Sequence, residues 1–75
     1  MQNYLNLNGD SGISRYENGN NFIKVEFSDG SVYLYDYSAP GQSQVEDMKR
    51  LAKEGRGLNS YIGKFVRRNY AAKLI

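Results

Sequence analysis

The sequence predicts an α+β domain in which a three-stranded antiparallel β-meander is followed by two α-helices packed on one face of the sheet. Residues 22–37 alternate between apolar and polar side chains on either side of an Asp-Gly pair, which is typical of a β-hairpin. Apolar residues then recur at helical spacing over residues 45–66. At 75 residues the chain has room for a single core.

The first residues are rich in Asn and predict a polar N-terminal tail over residues 1–10, so that residues 11–75 form the single domain. A first strand is expected from about Ile13 to Glu17. Residues 18–21, Asn-Gly-Asn-Asn, then supply the turn, because these residue types tolerate positive φ.

Residues 22–27 and 32–37 are predicted to pair through a two-residue turn at Asp29-Gly30. Such a turn sets Phe27 opposite Val32 and leaves Asp36 at the helix-facing edge of the sheet. The expected core face then carries Ile23, Val25, Phe27, Val32 and Leu34, and the opposite face carries Phe22, Tyr33, Tyr35 and Tyr37.

Two helices are predicted after Pro40. Ser43 and Glu46 have capping-box spacing, so the first helix is expected over about residues 44–54, with Gly55 as its left-handed C-terminal residue. The second is expected over about residues 59–69. The predicted core consists of Ile23, Val25, Phe27, Val32, Leu34, Val45, Met48, Leu51, Leu58, Ile62, Phe65 and Val66.

The composition excludes several kinds of chemistry. The chain has no Cys and no His, so it lacks a thiolate nucleophile, the commonest general base and the commonest metal ligand. It contains no nucleotide-binding glycine loop and no apolar run long enough to cross a membrane. We therefore expect a cytoplasmic protein that is not an enzyme and has no cofactor, no metal and no membrane partner.

The basic residues are concentrated in the second half of the chain. Residues 1–37 hold two basic and five acidic side chains, whereas residues 38–75 hold eight basic and three acidic ones. Lys64, Arg67 and Arg68 fall on one arc of the second predicted helix, and Arg56 precedes it. A phosphate backbone would offset the repulsion within this arc. Acidic residues of the sheet or the helix dipole would do the same, and a solvated helix face is the simplest interpretation.

Tyrosine is the other unusual feature, since the chain has seven and three of them alternate along one predicted strand. Tyr33 and Tyr35 on an open face could stack nucleobases. The rings could equally cover the second face of the sheet as structural residues. A third interpretation is a surface for another protein, or for a second copy of the chain, formed by Phe22, Tyr33, Tyr35 and Tyr37.

Short motifs occur in order along the chain: Ser11, Ile13, Tyr16-Glu17, Val25-Glu26-Phe27, Asp29-Gly30, Tyr33-Leu34-Tyr35, Ala52, Gly55, Leu58-Asn59, Ile62 and Tyr70. Over residues 11–74 this pattern resembles the KTSC domain, which is found at the C-terminus of some lysyl-tRNA synthetases and as a stand-alone bacterial protein. The chain departs from the family where residues 36–39 precede Pro40 in place of a short Val-Pro connection. The resemblance implies the α+β fold and suggests RNA as a ligand, with Tyr33 and Tyr35 matching the family's central motif.

Two functions follow as hypotheses. The first is a non-catalytic RNA-binding module that contacts phosphates through its basic residues, with two tyrosines as stacking platforms. Its candidate residues are Arg56, Lys64, Arg67, Arg68, Tyr33 and Tyr35. The second is a protein-interaction or self-associating domain that uses the predicted aromatic face of the sheet.

Overall fold

The fold is α+β, as predicted, but its sheet is larger than predicted. The computed structural model describes residues 1–7, 9 and 12–75. In this part of the chain one antiparallel sheet has five strands in chain order, not three. The strands are β1 (Gln2–Asn3), β2 (Ile13–Asn18), β3 (Phe22–Phe27), β4 (Val32–Asp36) and β5 (Ala72–Lys73).

The helices lie between β4 and β5 in the chain. Helix α1 spans Gln42–Glu54, and α2 spans Leu58–Tyr61 and continues into a single π-helical turn, Ile62–Val66. The predicted capping box is wrong, because α1 begins at Gln42, before Ser43, and its N-cap residue is Gly41, which has no side chain that could cap the helix. The predicted C-terminal residue is confirmed: Gly55 has φ 81°, and its N–H donates to the carbonyls of Leu51 and Ala52.

The β3–β4 hairpin has a longer loop than predicted. The N–H of Phe27 donates to the carbonyl of Ser31 at 2.9 Å, and the N–H of Gly30 donates to the carbonyl of Phe27 at 2.9 Å. Gly30 has φ 89°, so the loop is a three-residue connection that ends in a left-handed glycine. Because the side chains of a strand alternate, one extra loop residue turns every side chain of β4 to the other face of the sheet.

The predicted faces of β4 are therefore wrong. Tyr35 pairs with Ile23 and Tyr33 with Val25, so both tyrosines lie on the helix-covered face. Leu34 pairs with Lys24 on the opposite face and is half-buried, not a core residue.

Val32 and Asp36 also change faces. Val32 is buried, as predicted, but it pairs with Glu26 and lies outside the main core cluster. Asp36 pairs with Phe22 on the face away from the helices. Its Oδ1 accepts hydrogen bonds from the backbone and hydroxyl of Ser38 and from the backbone of Ala39. It therefore closes the turn after β4 instead of meeting a helix.

A bulge in β2 adds two residues to the core. Ile13 pairs with Phe27 and Arg15 with Glu26, so Ser14 is an extra residue in the ladder. In a regular strand Ile13 and Tyr16 would point to opposite faces, but the bulge lets both face the helices. Each is only 4% exposed.

The N-terminal residues, predicted as a polar tail, contribute to the fold where they are described. β1 pairs with β2, and Tyr4 is 6% exposed, with its hydroxyl accepting a hydrogen bond from the N–H of Leu58 at 3.3 Å. The N–H of Leu7 donates to the carbonyl of Gly55 at 2.7 Å. Asn8 and Asp10 of the predicted tail, and Ser11, lie outside the described residues.

The core lies between the sheet and the helices. Phe65, predicted to belong to it, is 66% exposed. In a π-turn each residue advances by a smaller angle than in an α-helix, so an α-helical wheel places Phe65 on the wrong side. Phe27 and Leu51 pack against the core while half-buried. The buried core cluster is Tyr4, Ile13, Tyr16, Ile23, Val25, Tyr35, Val45, Met48, Ala52, Leu58, Ile62 and Val66.

Candidate functional site

An open groove of about 650 Å³ lies between the β3–β4 hairpin and the segment that follows the π-turn. The hairpin supplies one wall, with the aromatic residues of β3 and β4 and the polar residues of the loop. The other wall comes from the end of the helical region. The lining residues are Gly12, Phe27, Ser28, Asp29, Ser31, Tyr33, Tyr35, Ile62, Arg67, Arg68 and Tyr70.

Four aromatic rings form a connected series at the floor of this groove. Phe27 and Tyr33 pack edge-to-face with ring centroids 5.6 Å apart. Tyr70 packs against Tyr33 at 4.8 Å and against Tyr35 at 6.4 Å, again with steeply inclined rings. The Nζ of Lys73, which pairs with Tyr33 across β4 and β5, lies 5.8 Å from the centroid of the Tyr33 ring. These contacts hold the rings in fixed orientations.

The hydroxyl of Tyr35 is a polar group that has no hydrogen-bond partner among the described residues. Tyr35 is 1% exposed, and its hydroxyl makes no hydrogen bond within the described part of the chain. Tyr35 is among the residues that line the groove. Burial, together with the neighbouring phenols of Tyr33 and Tyr70, raises the pKa of Tyr35 to about 12. At neutral pH the group is therefore a hydrogen-bond donor.

Arg67 and Arg68 are exposed cations that form no ion pair with any described residue. Other basic side chains of the chain are already engaged: Arg15, Lys49 and Arg50 in ion pairs, and Lys24 and Lys73 over aromatic rings. Among the described basic residues, those in neither kind of contact are Lys53, Arg56, Lys64, Arg67 and Arg68. Four of these five are the predicted phosphate contacts.

The hairpin loop places a carboxylate at the groove. Oδ1 of Asp29 accepts hydrogen bonds from the backbone N–H of Ser31 at 2.9 Å and from its hydroxyl at 2.7 Å. These bonds are the main reason that the pKa of Asp29 lies below its usual range, and Lys73 lowers it further. Asp29 is thus ionised at neutral pH and repels anions. A negatively charged ligand would bind at the Arg67–Arg68 wall.

The groove brings together four of the six predicted RNA-contact residues: Tyr33, Tyr35, Arg67 and Arg68. Arg56 and Lys64 are exposed but do not line it. A stacking role for Tyr35 is excluded by its burial, because a base needs an accessible ring face.

The predicted aromatic face of the sheet is not present as one surface. Tyr33 and Tyr35 point toward the helices, whereas Phe22 pairs with Asp36 on the other face. The hydroxyl of Tyr37 donates a hydrogen bond to a carboxylate oxygen of Glu46 at 2.7 Å and lies 3.1 Å from the carbonyl oxygen of Asn20, an alternative acceptor. The alternative based on Phe22, Tyr33, Tyr35 and Tyr37 therefore loses its shared surface.

Sequence reasoning missed Tyr70 and Phe27 as groove residues, and it missed the exposure of Phe65. The sequence predicts Phe27 as a core residue and gives Tyr70 only as part of the pattern that resembles the KTSC domain. The sequence does contain one usable signal for the register. Ser28-Asp29-Gly30 fits a three-residue loop ending in glycine as well as it fits a two-residue turn, and the longer loop places Tyr33 and Tyr35 beside Phe27.

Other features of the described residues give weaker candidates. A second depression, on the solvent side of α1, is lined by residues of both charges that largely pair with each other. No cluster of three or more acidic side chains in the described part of the chain could hold a metal ion. No described helix is long and apolar enough to cross a membrane.

Comparison with protein-family models, with curated proteins and with solved structures finds no match for this chain. The resemblance to the KTSC domain therefore stays a prediction from the motifs.

Proposed function

We propose that this chain is a small non-catalytic RNA-binding module and that RNA lies in the groove between the β3–β4 hairpin and Arg67–Arg68. One observation carries the proposal: aromatic and basic candidates that are far apart in the sequence line the same groove. Sharing one surface is what RNA binding requires, because phosphates need cations close to the groups that contact the sugar or base.

The charges of the groove support a phosphate ligand. Residues 56–75 hold five basic and no acidic side chains, so the whole positive excess of the chain lies in this segment. Arg67 and Arg68 have no acidic partner among the described residues, and a guanidinium can donate two parallel hydrogen bonds to one phosphate. Lys64 and Arg56 extend the proposed phosphate contacts beyond the groove.

The tyrosines support a more limited role than stacking. Tyr35 donates a hydrogen bond from its hydroxyl to the ligand, which would satisfy a group that has no hydrogen-bond partner among the described residues. Tyr33 is half-buried, and Lys73 lies over its ring, so it forms part of the floor of the groove. The motif that resembles the KTSC domain, Tyr33-Leu34-Tyr35, is then a structural part of the binding site.

The proposal is tested by titrating labelled single-stranded RNA and tRNA into the protein at several salt concentrations. Each phosphate neutralised on a single strand contributes about −0.7 to the slope of log K against log salt. The double substitution Arg67→Ala/Arg68→Ala should weaken binding at least tenfold and reduce this slope by about 1 to 1.5.

A matched control separates local contacts from total charge. Arg15→Ala/Arg50→Ala removes the same number of arginines, but both are engaged in ion pairs. Arg15 pairs with Glu26, and Arg50 pairs with Asp47 and Glu54. This control should retain most of the affinity and the slope. Equal losses in the two double variants, or no binding to RNA at low salt, would contradict the proposal.

A further inference from the structure

Two aromatic side chains are exposed among the described residues, and Phe65, at 66%, is the more exposed of them. It belongs to the π-turn, Ile62–Val66, whose neighbouring residues Ile62 and Val66 are buried. Its ring lies 4.9 Å from that of Tyr61 at an angle of 45°. Single exposed apolar residues are common, so exposure alone assigns no role to Phe65.

The surroundings of Phe65 are more informative. Lys64 directly precedes it, and Arg67 and Arg68 follow within three positions. All three cations are exposed and unpaired among the described residues, and the two arginines line the groove. The π-turn leaves the ring of Phe65 on the surface in the same short stretch of chain as these cations, and such turns occur frequently at functional sites.

We infer that Phe65 is a base-stacking residue and that the ligand of this site is unpaired, single-stranded RNA. The inference rests on the proposed RNA-binding function and specifies its substrate class. An exposed aromatic ring beside uncompensated cations is the combination by which proteins hold single strands: the cations bind phosphates and the ring stacks a base. A base within a duplex has no free face to offer.

The same charges argue against a neutral, apolar protein surface as the occupant. A neutral apolar partner would bury Lys64, Arg67 and Arg68 without compensation, which is costly. A polyanion neutralises them while its bases cover the ring of Phe65.

Because the chain contains no Trp, Phe65→Trp creates a protein with a single tryptophan at the proposed stacking position. Single-stranded RNA should quench its fluorescence as it binds. An oligomer of the same length made of abasic ribose phosphates should bind more weakly and leave the fluorescence nearly unchanged. A duplex of the same sequence should also fail to quench. Quenching by the duplex or by the abasic oligomer equal to that by single-stranded RNA would overturn the inference.

Affinity measurements on Phe65→Ala and Phe65→Leu test the same point without a probe. Loss of a stacked base weakens binding roughly 5- to 100-fold, so both variants should show this loss, whereas Phe65→Tyr should bind like the wild type. Because Phe65 is exposed, all three variants should fold. Leu7→Ala is the matched control, since Leu7 is similarly exposed, at 58%, but lies far along the chain from Lys64, Arg67 and Arg68.

The outcomes distinguish this inference from the proposed function. If Arg67→Ala/Arg68→Ala abolishes binding while Phe65→Leu binds normally, Phe65 does not stack a base, although the groove binds RNA. If no RNA binds the wild-type protein, both are wrong. If Phe65→Ala changes the sedimentation of the protein alone and not its RNA affinity, the residue serves a contact between copies and the inference fails.

Discussion

Helix α1 and the C-terminal segment after Gly55 are both rich in basic residues, but the two regions place their charges differently. Helix α1 has three basic and three acidic side chains, and Lys49 and Arg50 form ion pairs along it with Glu46, Asp47 and Glu54. Residues 56–75 have five basic side chains and no acidic one. The first arrangement stabilises a helix without a ligand, whereas the second leaves Lys64, Arg67 and Arg68 without an ion pair among the described residues and available to an external anion.

The backbones of the two regions also differ, because α1 is regular and the later segment is irregular. Helix α1 is a regular amphipathic helix that ends at a left-handed glycine and buries Val45, Met48 and Ala52. The later region passes from four residues of α-helix into a π-turn and exposes Phe65. Regular structure with internally paired charge indicates a role in stability, and irregular structure with unpaired charge indicates a role in binding. Substitutions can test this separation.

The largest difference is expected between a buried residue of α1 and the exposed aromatic residue of the π-turn. Met48 is fully buried, so Met48→Ala removes packing contacts and should lower the free energy of unfolding by about 2–5 kcal/mol. Phe65→Ala should change it by less than about 0.5 kcal/mol. Urea denaturation followed by circular dichroism measures both. A loss above 2 kcal/mol in Phe65→Ala would place Phe65 in the core and break the comparison.

Glycines in the two regions should respond in opposite directions. Gly55 has φ 81°, and a Cβ there would lie 2.7 Å from the Cβ of Leu5, so Gly55→Ala should destabilise the protein by about 1–2 kcal/mol. Gly63 lies within the π-turn with no atom within 4 Å of an added Cβ, so Gly63→Ala should stabilise by about 0.5–1 kcal/mol. Thermal unfolding of the two variants checks both signs. Destabilisation by Gly63→Ala would mean that the π-turn depends on a conformation that alanine does not share.

The regular parts of this fold are the parts that the sequence predicts well. Residues 22–27 alternate strongly and form β3 with the expected bounds, and α1 begins only two residues before its predicted start. Gly55 ends α1 because a left-handed position favours glycine, which is a local rule that a sequence reveals. The two-residue strands β1 and β5 have no periodic pattern of their own and are held by pairing with β2 and β4.

The sequence predicts part of the candidate site: Tyr33, Tyr35, Arg67 and Arg68 line the groove, whereas Arg56 and Lys64 do not. The geometry differs from the prediction because of one extra loop residue and one π-turn. A three-residue loop after Phe27 turns Tyr33 and Tyr35 inward, and the π-turn rotates Phe65 outward. The inward turn of the tyrosines and the outward turn of Phe65 both depend on tertiary packing, because the fold selects the loop length and the helix type that bury the most apolar surface. Local patterns therefore identify Arg67 and Arg68 as a basic cluster but cannot show that it faces two tyrosines.

A smaller effect on stability is expected when a paired charge of α1 and an unpaired charge of the later segment are removed and the melting temperatures are compared at several pH values. Hydrogen bonds from Lys49 and then Tyr37 hold the pKa of Glu46 below its ordinary value of 4.5. A lowered carboxyl pKa contributes stability that is present above pH 4.5 and lost as the pH falls through the pKa of the folded state. Glu46→Gln should thus lower the melting temperature slightly at neutral pH and make no difference in acid.

The control for this measurement is Arg67→Gln, which removes a cation without an ion-pair partner among the described residues. Its melting temperature should equal that of the wild type, or slightly exceed it, at every pH, because it relieves repulsion from the neighbouring cations. A melting temperature that falls in Arg67→Gln at neutral pH and recovers in acid would show that Arg67 has an acidic partner, and the comparison would no longer hold.

The smallest change in stability is expected at Tyr35, where the core and the groove meet. Tyr35→Phe keeps the buried ring and removes a hydroxyl that has no hydrogen-bond partner among the described residues. The free energy of unfolding at neutral pH should therefore increase, or decrease by less than about 0.5 kcal/mol. RNA affinity should nevertheless fall about tenfold, because a hydrogen bond to a charged phosphate is lost.

Alkaline unfolding supplies a second readout for Tyr35. Its pKa is about 12 in the folded protein and 10.0 ordinarily, so the neutral phenol contributes stability that is complete below pH 10 and declines as the pH rises toward 12. The wild type should therefore lose stability over this range faster than Tyr35→Phe does. If the two proteins decline equally while RNA affinity is also unchanged, the hydroxyl has neither the buried environment nor the ligand contact assigned to it, and the groove would act through its arginines alone.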